Sequence, residues 1–65
     1  MNVYAVESGS WTLTLTDAAG KIIGTEVHEL KMGMNKISVH GLSTGLNLIR
    51  FAHGRFSEVR KVVRE

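Results

Sequence analysis

The sequence contains no cysteine and no proline, and each absence removes a class of explanation. Without thiols there is neither a disulfide nor a thiolate metal site, so the apolar core alone must hold the chain together, and cysteine spacing says nothing of the redox compartment. Without proline, the strand edges lack one of the usual guards against unwanted pairing. There is no run of about 18 apolar residues, and Met1 is followed by neither a basic segment nor a long apolar one. Neither a leader nor a membrane-spanning helix is therefore expected within this stretch, and if the protein is exported its address is expected elsewhere, as in a longer precursor. Charge of one sign is also scarce: eight Lys and Arg against six Asp and Glu leave +2, too little to imply polyanion binding by the whole chain. The distribution is less even, because residues 50–65 hold five basic groups and two acidic ones whereas the first 49 hold three and four.

What is present is strand sequence. Sixty-five residues make one domain, read here as residues 1–65. Trp11 to Thr16 alternates large apolar residues with threonine, which turns Trp11, Leu13 and Leu15 to one buried face. Asp17-Ala18-Ala19-Gly20 carries the residues preferred in a type I turn that closes a hairpin on a left-handed glycine. A return strand runs from Lys21 to about Glu29, with a bulge or close backbone approach expected at Gly24. After a turn at Lys31-Met32-Gly33, the spacing predicts a strand over Asn35 to His40 with Ile37 and Val39 on one face. A two-glycine loop, His40 to Gly45, leads to the most apolar strand, Leu46 to Ala52. His53-Gly54 then turns the chain into a last strand, Phe56 to Arg64, and Asn2 to Val6 forms a short first one. The expected fold is all-β, a small antiparallel Ig-like sandwich of about six to seven strands.

Chemical motifs are few. His28, His40 and His53 form no ligand-spaced pair and sit at strand ends or in a turn, so they read as solvated surface residues, with no metal and no cofactor expected. There is no nucleophile elbow, the single Asp is accounted for by its turn, and a chain of this size has little room for a pocket; no catalytic residue and no enzyme activity are expected. Phe51 and Phe56 beside the basic tail raise binding of single-stranded nucleic acid. Strand alternation assigns both rings to the core instead, and Glu58 and Glu65 interrupt the basic run. Gly20, Gly41, Gly45 and Gly54 precede no helix that faces an anion and read as turn residues.

The order of the pieces carries more than any one of them. Asp17, Gly20 and Lys21 form Asp-x-x-Gly-Lys ahead of Ile22 and Ile23, and Asn35 precedes Ile37 and Val39. Leu42 and Gly45 form Leu-x-x-Gly ahead of a strand containing Arg50, Gly54 turns it, and Val59, Lys61, Val62 and Val63 close the chain. This succession, from Trp11 to Glu65, resembles the C-terminal sorting domain (type A) of type IX secretion cargo. The resemblance implies an Ig-like sandwich at the end of a larger exported protein of a Gram-negative bacterium. Such a domain is read in the periplasm, as a folded surface, by outer-membrane translocation proteins. In many cargos it is then cut off by a sortase-like transpeptidase that attaches the cargo at the cell surface, and in others the cargo is released.

The family commonly has tyrosine where Asn47 and Thr16 stand, and an upstream Pro-Asn-Pro segment that this chain lacks. The surface expected to dock is the last hairpin: Gly45, Arg50, Gly54, Arg55, Arg60, Lys61, Val62, Val63 and Arg64, with Asp17, Gly20, Lys21 and Leu42 as structural turn and plug residues. Strand addition would supply the backbone pairing and the cations a bias towards acidic partners, with no direct membrane insertion. Proline-free edges also admit a homodimer or strand swap. The alternative expectation is a structural or adhesive sandwich module of a surface protein, since fold does not fix function.

Overall fold

The computed structural model describes residues 1–65 as six strands and no helix: β1 Asn2–Ala5, β2 Gly9–Asp17, β3 Ile22–Leu30, β4 Gly33–Lys36, β5 Gly45–His53 and β6 Phe56–Arg64. They form two antiparallel sheets, one of four strands in the order β3-β2-β5-β6 and one of two, β1-β4. The all-β sandwich expected from the alternation is therefore the fold. β2 is its spine, because it alone among the long strands combines an unbroken apolar row with ladders on both sides.

The register explains which face is buried. Leu13 pairs with Phe51 and Leu15 with Ile49 across the β2-β5 ladder, and all four side chains point to the small sheet. Val3 and Ala5 of β1 meet them from the other layer, and with Trp11, Leu30 and Ile37 they make a single core, against which Ile23, Val39, Leu42 and Val62 pack. The threonines of β2 take the outer face, where a half-exposed β-branched side chain suits the pleat.

The β2-β3 turn forms as the sequence predicts. The Asp17 carboxylate accepts the N–H groups of Ala19 (3.0 Å) and Lys21 (2.9 Å), the Gly20 N–H donates to the Asp17 carbonyl at 3.0 Å, and Gly20 takes φ +86°. The bulge expected near Gly24 is also there: Leu15 faces Gly24 but Thr16 faces Ile22, so Ile23 is the extra residue.

One strand differs. β4 spans Gly33–Lys36, not Asn35 to His40, and residues 37–44 run without a ladder. β1 is the reason: its pairing with β4 ends at Asn2 and Lys36, and two further bonds close the end, Ile37 N–H to the Met1 carbonyl (2.9 Å) and the Met1 ammonium to the Ile37 carbonyl (3.0 Å). Beyond them no strand lies alongside. Ile37 and Val39 still meet the core, so the period-2 pattern reports burial there without a sheet.

The small sheet is two short strands wide and cannot cover four strands of nine residues. The inward row of β6, which comprises Phe56, Glu58, Arg60, Val62 and Arg64, is therefore only partly roofed, and only Val62 reaches the core.

Candidate functional site

The β5-β6 hairpin was expected to carry the docking residues, and alternation decides how it presents them. Gly54 and Arg55 form its two-residue turn, with Gly54 at φ +58° and His53 facing Phe56. In β5, Asn47, Ile49 and Phe51 point inward and are buried, whereas Leu46 and Arg50 point outward and are exposed. In β6, Lys61 and Val63 share the outer face with Leu46, Leu48 and Arg50.

The cations consequently divide instead of forming one basic surface. Arg50 and Lys61 stand on the outer face, where neither has a hydrogen-bond or ion-pair partner in the chain, and Arg55 is exposed in the turn. Arg60 is half-buried on the other face, and its Nη1 donates to the Asn2 carbonyl at 2.7 Å. Arg64 donates to the Leu42 carbonyl at 2.8 Å. These two guanidiniums tie β6 to the first strand and to the β5 entry loop. A shallow dent lined by Thr14, Thr16, Leu48, Val59 and Arg50 lies on the outer face.

Asn47, which breaks the apolar run of β5, is completely buried with every polar atom satisfied. Its Oδ1 accepts the Ser43 N–H (2.9 Å) and the Ser43 hydroxyl (2.8 Å), while its Nδ2 donates to the carbonyls of Ser43 (2.8 Å) and Gly45 (3.1 Å). The amide thus clasps the loop that leads into β5, with Gly45 at φ +93° as its pivot and Leu42 packed on the core beside it. Where the family resemblance expects a tyrosine, this chain has a backbone clasp.

The histidines were expected to be solvated, and only His40 is. His28 is half-buried on the inward row of β3 and bonds Glu26 at 2.7 Å; Glu26 also accepts the His40 N–H at 2.9 Å. Those bonds, the one to His28 foremost, hold the Glu26 carboxyl below the usual carboxylate range. His53 stacks on Trp11 with centroids 5.0 Å apart, and its Nδ1 lies 2.8 Å from the Ser10 carbonyl and its Nε2 3.3 Å from a Glu7 carboxylate oxygen. Both partners can only accept, so the charged imidazolium alone satisfies both. The Ser10 bond first, and Glu7 after it, raise the His53 pKa above the ordinary imidazole value.

The imidazole also fills the space over Gly9, where an added Cβ would sit 2.6 Å from its Cε1. Phe51 is core as expected, but Phe56 is 37 % exposed and lies at the margin of Trp11, because the small sheet stops short of it. No three His, Asp or Glu side chains converge as metal ligands would, and no helix is long and apolar enough to cross a membrane. Neither a family model, nor a curated protein, nor a solved structure matches this chain.

Proposed function

We propose that this domain is a non-catalytic sorting signal of the type IX kind, read as a folded surface by outer-membrane translocation and attachment proteins. On this reading it passes through the periplasm and ends at the outer membrane and cell surface, or in the medium with a released cargo. The observation that carries the reading is where the pieces of the resemblance fall. Asp17, Gly20 and Lys21 close one hairpin, Leu42 and Gly45 form the entry to β5, Gly54 turns the second hairpin, and Val59 to Val63 lie in the edge strand β6. All the pieces of the resemblance except the Asn35-Ile37-Val39 segment thus fall at the two hairpins, the β5 entry and the edge strand β6.

β6 supports partner docking through strand addition. It has nine residues, no proline, and a ladder on one side only, so its other backbone edge is available to a sequence-tolerant partner. Lys61 on β6 and Arg50 on the neighbouring β5 stand on the outer face beside that edge and favour approach to an acidic surface. Tolerance of this kind suits a signal shared by unlike cargos.

The test is a reporter with an N-terminal export leader and residues 1–65 at its C-terminus, expressed in a bacterium with a type IX system. The reporter should reach the surface or the medium. Removing Val59 to Glu65 should retain it in the periplasm, His40→Ala should leave export unchanged, and the pair Arg50→Glu and Lys61→Glu should slow it without loss of β-structure by circular dichroism. Retention of the intact fusion, or normal export without the last strand, overturns the proposal and leaves a structural or adhesive module.

A further inference from the structure

We infer that the groove between β1 and β6 holds a basic side chain of an extended partner peptide. The sequence has four aromatic residues, and three of them, Tyr4, Trp11 and Phe56, line this one groove with Val6 and Glu58. The groove arises because the short β1 does not cover the beginning of β6, so Tyr4 (58 % exposed), Val6 (50 %) and Phe56 (37 %) remain open to solvent. Trp11, itself buried, stacks with Phe56 at a centroid distance of 6.5 Å and forms the floor against which the exposed rings of Phe56 and Tyr4 stand.

The one charged side chain that lines the groove is the carboxylate of Glu58; the His53 cation stacked on Trp11 is already met by Glu7 and is not among the lining residues. The ion pairs of the chain are His28 with Glu26 and His53 with Glu7, and Glu58 has neither an ion-pair nor a hydrogen-bond partner. Arg60, the next residue on the same inward row, is held by the Asn2 carbonyl. Aromatic faces attract cations through their quadrupole, and a carboxylate at the rim adds the counter-charge, so the chemistry selects a guanidinium or an ammonium over a neutral group of the same shape. The volume, about 120 Å³, admits such a head with part of its stem. It lies well below the roughly 300 Å³ or more of pockets that enclose whole small-molecule ligands.

The peptide follows from the walls. One side of the groove is β1 and the other β6, and each is an edge strand with an unpaired backbone flank. An extended segment can place a basic side chain in the groove while its backbone bonds one of those flanks. This inference shares the free edge of β6 with the sorting reading but does not rest on it: the cation groove is argued from Tyr4, Trp11, Phe56 and Glu58, and the sorting reading from the motif order.

Trp11 is the sole tryptophan and lines the groove, so its emission reports binding directly. The folded domain is titrated at constant ionic strength with acetylated and amidated Gly-Arg-Gly, with its citrulline counterpart, and with methylguanidinium. The arginine peptide should give a saturable change, and the neutral citrulline peptide none. Methylguanidinium should bind more weakly than the peptide. Glu58→Gln and Tyr4→Ala, both at exposed positions, should each weaken the arginine peptide by about threefold or more, and Thr25→Glu, exposed on the outer face of β3, should not. An equal response to citrulline, or unchanged affinity in Glu58→Gln, overturns the cation site; methylguanidinium binding as tightly as the peptide overturns the peptide.

Discussion

Two loops of this chain are closed by the same set of hydrogen bonds in different surroundings. In Lys31-Met32-Gly33-Met34-Asn35, the Asn35 side chain accepts the Lys31 N–H at 3.0 Å and donates to the carbonyls of Lys31 (2.8 Å) and Gly33 (3.0 Å). In Ser43-Thr44-Gly45-Leu46-Asn47, Asn47 repeats each bond at 2.9, 2.8 and 3.1 Å, and the Ser43 hydroxyl adds a fourth. Each glycine stands at positive φ, +107° and +93°, so the backbone paths also agree. The difference is burial: Asn35 is half-exposed at the mouth of β4, and Asn47 lies sealed under β5 beside Ile49 and Phe51. Three shared bonds therefore carry unequal energetic weight in the two loops. Water can replace the outer clasp, whereas nothing can replace the inner one without leaving buried polar groups unpaired.

The sharpest way to break that comparison is to remove the amides in turn. Asn47→Ala leaves a cavity and several unpaired groups and should cost about 2–4 kcal/mol, a large share of the stability of so small a domain. Asn35→Ala should cost about 1 kcal/mol. Denaturant midpoints decide it, and equal losses would mean that burial adds nothing to the clasp. The glycines should behave oppositely. Gly33→Ala and Gly45→Ala meet no atom within 4 Å, so only the backbone conformation resists them. Each should cost about 1–2 kcal/mol, and a much larger loss at Gly45 would show that the inner loop is constrained by packing as well as by φ.

The smallest effect belongs to a third tie, which differs from both clasps in depending on pH. His53 joins the end of β5 to the start of β2 through Ser10 and Glu7, with Glu29 adding a weaker attraction. Because its folded pKa is raised, its contribution is complete below the unfolded value of about 6.5 and disappears as pH rises through the folded pKa. Melting temperatures of the parent chain should accordingly fall more between pH 6 and pH 8 than those of His53→Gln; parallel profiles would show the tie to be indifferent to charge.

Much of this was legible in the chain. Trp11, Leu13 and Leu15 announced their face through strict alternation, and Asp17 with Gly20 announced their turn, because both signals act within a few residues. The twin clasps left a signal that went unread, Gly-x-Asn at residues 33–35 and again at 45–47, because Asn47 alone reads as a polar interruption. What misled was pattern without context: Ile37 and Val39 alternate like a strand and lack a neighbour to pair with. His53 gave no local signal, since its partners Ser10 and Glu7 lie more than forty residues away in sequence.

By itself, then, the sequence determined the fold class, the β2-β3 and β5-β6 hairpins and the inward row of β2, since strand period and turn chemistry are short-range properties of the chain. Only the tertiary structure decided which cations are free and which are tied, that an asparagine belongs in the core, and that three aromatic rings meet beside an unpaired glutamate. Those outcomes depend on how far a two-stranded sheet reaches across a four-stranded one, and that reach is set by packing between residues distant along the chain.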